Sequence, residues 1–482
     1  MSELKYKFNV NTDALRLIPV NIAEKYLIFP YDIDEKFIYI ISNKKLLAYE
    51  EEEIKFLSGK DLKSHIDNSN HIRECINKFY YKKEAIYITN ILNENKNKYI
   101  KKHNEHLEGE KSPGVKMLNY FLKEAIFKKA SDIHIEPFED VAVVRFRIDG
   151  VLHKFWELSQ ELYRQIKGRI KILSNMDIAE KKYPQDGKFK FNFYKRNLDI
   201  RVSTMPTVYD EKIVMRILYK TETLIKLKDL GFFGEALSEI EKISKYSSGM
   251  ILVTGPTGSG KTTTLYSIIN EMDKKHRNII TIEEPVEYSI DGVNQINIRE
   301  KIGMTFSNVL KYTLRQDPDV IMIGEIRDKE TAQIAIRASI TGHLVLASLH
   351  TKDPLSSIIR LIDMGVEDYL LMEALNAIIS QRLVRRLCPY CKEKILNKEM
   401  NSEIYEKVGC ERCNYTGYLG RVLIYERVIL DKAIKEMVLR GDNMDEIRKY
   451  AFEKNKTNLE ESALGLIKKG KTSIEELNKL NF

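Results

Sequence analysis

The eight residues from Gly255 to Thr262 constrain the fold of this chain more than any other feature. They read GPTGSGKT and match the phosphate-loop pattern G-x-x-x-x-G-K-[ST] at every fixed position. An apolar run precedes them and a helical segment follows, which is the strand, loop and helix setting that the motif requires. Glycines let backbone N–H groups close around phosphate oxygens, and the positive end of the following helix adds attraction. The motif therefore predicts nucleotide binding.

Each residue of this loop is a predicted contact to the nucleotide. The set comprises Gly255, Pro256, Thr257, Gly258, Ser259, Gly260, Lys261 and Thr262. By the chemistry of such loops, Lys261 bridges the β- and γ-phosphates and the Thr262 hydroxyl ligates Mg²⁺. ATP and Mg²⁺ are accordingly the expected ligands.

Four apolar runs around the loop predict strands that alternate with helices. They span residues 250–253, 279–282, 320–323 and 344–349. Strands that alternate with helices favour a parallel sheet covered on both faces, so the predicted fold class is α/β with a P-loop nucleotide-binding core.

Acidic residues follow two of these predicted strands. Glu325 follows 320–323, and the cluster EEPVE, which ends at Glu287, follows 279–282. The carboxyl ends of parallel strands meet at one sheet edge, where ligands bind. We therefore expect a Mg²⁺ and water site there, with Glu325 as the carboxylate that hydrolysis needs. The alternative for Glu325 is an exposed glutamate in a surface salt bridge.

Two histidines bracket the last of these runs. His343 precedes residues 344–349 and His350 follows them. A single histidine at the end of a buried strand is usually structural. The neighbouring Thr341 and Thr351 add polar groups that favour the other interpretation, in which the histidines sense the γ-phosphate.

Composition and pattern divide the remainder of the chain. Residues 1–105 resemble a small α/β module that runs into a polar linker at 93–111, although a solvated helix explains the first half of that stretch equally well. Residues 112–225 are a predicted second α/β domain, with an amphipathic helix at 115–130, a hairpin turn at Asp149-Gly150 and a second helix at 160–173. The core is assigned to 226–386, a metal element to 387–414 and a helical region to 415–482.

Four of the five cysteines form two close pairs. The pairs Cys388/Cys391 and Cys410/Cys413 enclose 18 residues, a spacing typical of a zinc site. Four thiolates leave no open position for water, so Zn²⁺ is expected to stabilise the fold rather than to catalyse. Unmetallated thiols and an iron–sulfur site are the alternatives. Cys75 has no partner and is predicted to be a small buried apolar residue.

Charge and hydropathy exclude some classes of protein. A net charge of +8 on 482 residues is dilute, and no lysine or arginine stripe with interleaved aromatic residues indicates a nucleic-acid interface. No apolar run reaches the roughly 20 residues of a membrane-spanning helix, and the N-terminus lacks a signal peptide's apolar segment. The expected location is the cytoplasm.

From residue 113 to the C-terminus the chain resembles the ATPases of type II secretion and type IV pilus assembly. The blocks that carry the resemblance occur in the family's order and read ASDIHIEP, FRIDG, PQDG, TGPTGSGKT, LRQDPD and TGHLVLASLHT. The resemblance implies a RecA-like core, with 283–287 as the family's acidic box, Glu325 at the end of the Walker B strand, and both histidines in its His box. Glu284 stands where the family usually has aspartate, so we rank Glu287 and Glu325 above it.

The resemblance also assigns two arginines of the middle domain. Arg201 and Arg216 match arginines that reach the nucleotide in that family, where a fixed guanidinium neutralises charge on the leaving γ-phosphate. Without the resemblance, strand-edge arginines paired to carboxylates would be the preferred interpretation.

The resemblance implies a homohexameric ATPase motor that acts on an inner-membrane platform protein. Such a motor binds peripherally at the inner face of the cell membrane, and its N-terminal domain docks on membrane-associated partners. In this family the zinc element is usual in assembly and secretion ATPases, which favours pilus extension over retraction. The alternatives are a type II secretion pseudopilus ATPase, a P-loop nucleic-acid motor, and a scaffold that binds ATP without turnover.

Overall fold

A computed structural model describes residues 10–82, 112–193, 196–219, 225–232, 234–397, 402–455 and 458–480. The chain divides into two compact units, Met1–Tyr219 and Lys220–Phe482. The predicted linker at 93–111 lies outside the described residues. In the ranges that are described, every helix is too short or too polar to cross a membrane.

The first unit begins with a small three-stranded sheet. Its strands are β1 (Ile28–Ile33), β2 (Phe37–Ser42) and β3 (Asp61–Ile66), in the order β1-β2-β3. Strand β2 pairs antiparallel with β1 and parallel with β3. The accompanying helices are α1 (Thr12–Leu17), α2 (Val20–Tyr26), α3 (Ala48–Ser58) and α4 (Ser69–Ile76), the last continued by a π-helical turn at Asn77–Tyr81. Cys75 is buried in α4, as predicted.

A six-stranded antiparallel sheet follows in the same unit. It has the order β6-β5-β4-β9-β8-β7. The elements are α5 (Pro113–Phe127), β4 (Asp132–Pro137), β5 (Val141–Ile148), β6 (Val151–Ser159), α6 (Gln160–Leu173), β7 (Gln185–Phe193), β8 (Arg196–Pro206) and β9 (Glu211–Leu218). The predicted hairpin is confirmed, since Asp149 and Gly150 both adopt positive φ between β5 and β6. The second predicted helix is also confirmed, as α6.

The second unit is built on a seven-stranded sheet with the order β12-β11-β13-β14-β10-β15-β18. Its strands are β10 (Gly249–Thr254), β11 (Ile279–Glu283), β12 (Asn294–Asn297), β13 (Val320–Ile323), β14 (Leu344–Leu349), β15 (Leu375–Leu387) and β18 (Tyr418–Ile429). All neighbouring strands run parallel except β15 and β18, which pair antiparallel. A separate hairpin consists of β16 (Glu393–Asn397) and β17 (Ser402–Glu406).

Helices alternate with these strands. They are α7 (Leu227–Leu230), α8 (Glu235–Ile243), α9 (Lys261–Asn270), α10 (Phe306–Thr313), α11 (Lys329–Ile340), α12 (Pro354–Asp363), α13 (Asp368–Ala374), α14 (Lys432–Arg440), α15 (Met444–Asn455), α16 (Leu459–Lys468) and α17 (Ile474–Asn478), with short 3₁₀ turns at Glu300–Ile302 and Glu411–Cys413. Strands β10, β11, β13 and β14 are buried along their whole length. Their continuous apolar sequences follow from cover on both faces, and the predicted α/β core is confirmed.

Strand β18 corrects the predicted helical region at 415–482. Its twelve residues form the last strand of the core sheet, so the core takes part of its sheet from beyond residue 386. The register joins Leu383 to Leu423 across β15 and β18. Only the residues after β18 form helices, within the part of this region that the structure describes.

Candidate functional site

The carboxyl ends of three neighbouring parallel strands create one polar edge in the second unit. Strand β10 leads into the phosphate loop, β14 ends just before His350, and β13 ends two residues before Glu325. Because β14 pairs with both β10 and β13 in parallel register, these three ends lie side by side. The predicted convergence of Lys261, Glu325 and His350 is therefore present.

The phosphate loop has a shape that only glycine permits at its first position. Gly255 adopts φ +144°, and a Cβ there would lie 2.3 Å from the carbonyl oxygen of Gln381 and 2.7 Å from Ser259 Oγ. Gly260, with φ +88°, caps helix α9, which begins at Lys261. The loop thus directs the free N–H groups of a ten-residue helix toward the space where an anion binds.

Lys261 closes over its own loop. Its Nζ donates to the carbonyl oxygens of Gly255 at 2.9 Å and Pro256 at 3.2 Å. Burial lowers the pKa of Lys261, whereas the nearby charge of Glu325 opposes that effect. A buried ammonium group whose hydrogen-bond partners in the loop are uncharged carbonyl oxygens fits a site that binds phosphate, because an anion supplies the countercharge that the loop lacks.

A chain of polar contacts connects Lys261 with Glu325. His350 Nδ1 lies 3.5 Å from Lys261 Nζ, and His350 Nε2 lies 3.5 Å from Glu325 Oε2. Burial, followed by the charge of Lys261, lowers the pKa of His350 below its usual range. A neutral imidazole suits this position, since it can accept from the ammonium group at Nδ1 and donate to the carboxylate at Nε2.

Arg327, which belongs to none of the motifs in the sequence, extends the network on its other side. Its guanidinium bonds Glu325 Oε1 and also Glu284 Oε2, the latter at 3.0 Å. Glu325 thus has a partner on each oxygen, the Arg327 guanidinium on Oε1 and the neutral His350 imidazole on Oε2. A basic residue two positions after a strand-end glutamate was the available sequence signal, but spacing alone does not show that Arg327 bridges two acidic segments.

The acidic segment at 283–287 separates into three environments. Glu283 is buried, and its carboxylate accepts from the hydroxyl of Tyr266, from Thr281 Oγ1 at 2.6 Å and from Gln295 Nε2 at 3.2 Å. Burial raises the pKa of Glu283 despite these three donors. Glu284 binds Arg327, which also binds Glu325. Glu287 is exposed, and among the described residues no basic side chain connects it to Glu325 in the same way. The structure therefore favours Glu284 over Glu287 as the companion of Glu325.

His343 does not share this edge, which corrects the prediction that both histidines serve one site. It precedes β14, whereas the phosphate loop follows β10, and the two strands are parallel. A strand of six residues separates the two ends by roughly 20 Å. The His343 ring Nδ1 instead lies 2.9 Å from the carbonyl oxygen of Ala338, a structural contact at the end of α11.

The two predicted arginines are adjacent in the first unit. Arg201 on β8 and Arg216 on β9 occupy directly opposed positions in the antiparallel ladder. Arg216 Nε donates to Asp132 Oδ1 at 2.8 Å, so the carboxylate pairing considered for strand-edge arginines exists for one of them. No ion pair in the described ranges engages Arg201. Like charges opposed across a ladder repel, which an added anion would relieve.

Both arginines lie in the wall of a cleft of about 620 Å³ that is open to solvent. Its lining includes both guanidinium-bearing residues together with Lys188, which pairs with Arg201 across β7 and β8. Asp186 also lines the cleft and Asp132 pairs with Arg216, but the three cations in adjacent register positions outnumber these carboxylates, which makes this face of the sheet suitable for a phosphate group.

The four paired cysteines meet in a single cluster. Their Sγ atoms all lie within 4.8 Å of one another, with 3.9 Å between Cys388 and Cys410 and 3.8 Å between Cys391 and Cys413. Four sulfurs at about 2.3 Å from a tetrahedral zinc ion lie about 3.8 Å apart. The cluster therefore fits the predicted ion in number, ligand type and spacing.

Backbone amides prepare this cluster for metal. Gly409 N donates to Cys391 Sγ at 3.3 Å, while Cys410 N and Gly417 N donate to Cys413 Sγ at 3.2 and 3.3 Å. Burial raises the pKa of Cys413, but the amides of Cys410 and Gly417, together with the neighbouring thiols of Cys410 and Cys391, outweigh it and lower the value to about 7. For Cys391 burial prevails and raises the pKa to about 12. Donors that stabilise a thiolate are the usual surroundings of a metal-ligating cysteine.

We predict that removal of metal from this cluster destabilises the second unit before it weakens nucleotide binding. Two of the four thiols are buried, so an empty cluster leaves four mutually repelling or protonated sulfurs in place of a crosslink. A loss of even about 3 kcal/mol lowers Tm by roughly 6–12 °C. Calorimetry before and after a thiol-directed zinc release assay measures the shift.

The fifth cysteine provides the control for this experiment. Cys413→Ser should lower the zinc content of the purified protein, whereas Cys75→Ser should retain it, because Cys75 lies in α4 of the first unit. Full metal content and an unchanged Tm in Cys413→Ser would refute a structural metal site.

Comparison with known proteins agrees with this geometry. The sequence model of the family described as "Type II/IV secretion system protein" matches residues 107–479. The type IV pilus assembly ATPase PilB of Myxococcus xanthus is 38% identical, across 98% of this chain and 87% of the relative. The type II secretion system protein E of Aeromonas hydrophila is 44% identical, across 76% of this chain and 75% of the relative.

Solved structures show a similar fold. The pilus retraction motor PilT with bound ADP aligns with a TM-score of 0.52 and 28% identity, covering 75% of this chain and 96% of that one. The ATPase DotB of Legionella pneumophila aligns with a TM-score of 0.58 at 22% identity, covering 76% and 95%, and supports the fold alone. With a family match over most of its length, the chain belongs to the type II/IV secretion system protein family.

Proposed function

We propose that this chain is an ATP-hydrolysing motor that powers the assembly of a type IV pilus. The observation that carries the proposal is the sheet edge where the phosphate loop, His350 and Glu325 converge. The PilB relative supports the choice of process, because its similarity extends over 98% of this chain. The relative from type II secretion covers 76%, so a pseudopilus motor is the second candidate.

In the proposed reaction the loop and Lys261 hold the phosphates of ATP. Lys261 releases the carbonyl oxygens of Gly255 and Pro256 and turns to the β- and γ-phosphates, which replace neutral partners with charged ones. Thr262 would ligate Mg²⁺, which neutralises charge on the phosphate oxygens when it is bound. Binding therefore uses charge that the free loop leaves uncompensated.

Glu325 orients the attacking water and accepts its proton. Its contacts with His350 and Arg327 fix the carboxylate before substrate arrives, and preorganised charge is what makes such groups effective. His350 lies between this carboxylate and Lys261, so it is suited to detect whether a γ-phosphate is present. Arg201 and Arg216 would supply positive charge from the middle domain during phosphoryl transfer.

The proposed assembly is a homohexameric ring at the inner face of the membrane, which passes its motion to a platform protein and docks on membrane-associated partners through its N-terminal module. Hydrolysis produces motion only if ATP and ADP stabilise different arrangements of the domains, since a ligand with equal affinity for both moves nothing. The division into two compact units supports this proposal, because each unit has its own hydrophobic core.

Purified protein is expected to release phosphate from ATP only when Mg²⁺ is present. Single-stranded DNA should not stimulate the reaction, which separates a filament motor from a nucleic-acid motor.

Deletion of the gene in its native cell should abolish surface pili and leave protein secretion intact. Loss of secretion with pili retained would instead identify the pseudopilus motor, and DNA-stimulated turnover would refute both.

A further inference from the structure

We propose that Gln381 is a positioning residue that holds the phosphate loop in the shape that binds nucleotide. The inference rests on the proposed function, because it concerns the same nucleotide site. Gln381 lies on β15, outside the loop motif and outside the acidic and histidine segments.

Both polar atoms of the Gln381 side-chain amide form hydrogen bonds, one with the phosphate loop and the other with the helix that follows it. Its Nε2 donates to the carbonyl oxygen of Ser259 at 2.8 Å, and its Oε1 accepts from Thr264 Oγ1 at 2.8 Å. These two anchors enclose residues 260–263, which include Lys261 and Thr262. One amide therefore fixes both sides of the segment that carries the residues predicted to touch phosphate and Mg²⁺.

Gln381 lies in close contact with two glycines of the phosphate loop, Gly255 and Gly260. A Cβ on Gly255 would meet the Gln381 carbonyl oxygen at 2.3 Å, and a Cβ on Gly260 would meet its Nε2 at 3.4 Å. The first distance is prohibitive, and the second is the limit of ordinary contact. The first contact is with the backbone of residue 381, whereas the second shows that the Gln381 amide itself packs against the end of the loop.

The strand that carries Gln381 is held on both sides. The parallel ladder with β10 ends where Thr254 pairs with Ser380, and Gln381 is the next residue. On the other side Gln381 pairs with Tyr425 of β18. The amide therefore projects from a rigid support at the point where β10 turns into the loop.

Burial makes the choice of glutamine informative. The Gln381 side chain is fully buried, and a buried amide is unfavourable unless its donor and acceptor are both satisfied. A methionine would fill a similar volume without that requirement. A polar residue at this position is therefore best explained by its bonds to the loop.

A loop that is already ordered has less conformational entropy to lose when nucleotide binds. Without the amide, residues 260–263 must be ordered by the ligand, so the cost appears in binding. Once ATP is bound, Lys261, Thr262 and Glu325 occupy the same positions as in the native enzyme. The expected signature is a raised KM and a raised Kd for ADP, with kcat nearly unchanged.

The test compares Gln381→Met with Gln333→Met as the matched control. Gln333 lies on α11 and donates to the Gly365 carbonyl oxygen, away from the loop. Gln381→Met should raise the ATP KM and the ADP Kd about tenfold and change kcat by less than about twofold, consistent with the loss of one or two neutral hydrogen bonds. Gln333→Met should match the native enzyme in all three quantities.

Thr264 gives an independent arm. Thr264→Val removes the hydroxyl that donates to Gln381, so it should raise the ADP Kd by a few fold, and Thr264→Ser should restore it. Because the two changes remove the same contact, the double variant with Gln381→Met should bind ADP no more weakly than Gln381→Met alone.

The outcomes separate this proposal from the proposed function. A lower Tm for Gln381→Met with native KM and Kd would overturn it, and so would a fall in kcat with native KM. Fully additive effects of the two substitutions would also overturn it. If the native enzyme binds ADP but hydrolyses no ATP, the proposed function fails while the ADP Kd comparison still decides the role of Gln381.

Discussion

Glu325→Gln is expected to lower kcat for ATP hydrolysis by roughly 10²–10⁴-fold, the range for loss of a general base. The amide has the same size as the carboxylate, and it can still bond His350 or Arg327. It cannot accept a proton from water at neutral pH. Affinity for ATP should therefore be retained or increased. Equilibrium binding of a fluorescent ATP analogue measures the affinity, and the rate of phosphate release measures kcat.

Glu330→Gln is the control for this substitution. Glu330 is an exposed glutamate in the first turn of α11 that pairs with Lys311 across 2.5 Å, so its loss removes the same charge from the same unit. Its kcat should equal that of the native enzyme. An unchanged kcat in Glu325→Gln would mean that another group activates the water or that the chain is a scaffold without turnover.

The parts of this site that lie close together in sequence could be predicted from the sequence. The phosphate loop is a local motif whose geometry follows from its glycines, and the cysteine pairs have the spacing of one ion. Strand β13 was predicted at its observed bounds because a short apolar run before Gly324 has few other interpretations. The structure adds little to these segments except distances.

The contacts that depend on strand order could not be predicted in this way. Arg327 bonds Glu284 only because β11 and β13 are neighbours in the sheet, and Gln381 reaches the loop only because β15 flanks β10. The histidines illustrate the same limit. Their sequence positions are symmetric about β14, but the direction of that strand places only His350 beside Lys261.

Strand β18 shows why the C-terminal region was misassigned. Its residues are separated from β15 by the cysteine cluster and by the hairpin β16–β17. The pairing that makes them a strand is long-range, but the apolar run VLIY at 422–425 is a local strand signal that the prediction did not use. In helical form the same residues would leave the edge of β15 unpaired, which the antiparallel ladder from Ala377 to Leu387 prevents.

Arg201→Ala is expected to lower kcat about 10³-fold while leaving the ADP Kd near the native value. A fixed guanidinium stabilises charge that develops only as the γ-phosphate leaves, so its removal acts on the rate rather than on binding. Arg216→Ala should behave similarly, with the further change that Asp132 loses the partner at 2.8 Å. The exposed Arg164 on α6 gives the control, since Arg164→Ala removes an arginine from the same unit.

Mixing inactive variants tests whether these arginines act on a neighbouring subunit. A Lys261→Ala subunit lacks the phosphate-loop lysine but keeps both arginines, whereas an Arg201→Ala subunit has the reverse defect. If the arginines complete the site of an adjacent subunit in the proposed ring, the mixture recovers a fraction of native activity because some interfaces combine two intact halves. If they act within their own chain, every subunit in the mixture retains one defect and the activity stays at the level of the single variants. Recovery would therefore establish that Arg201 acts on the site of a neighbouring subunit, as the proposed ring requires, and an Arg201→Ala enzyme with native kcat would refute that role whatever the mixture does.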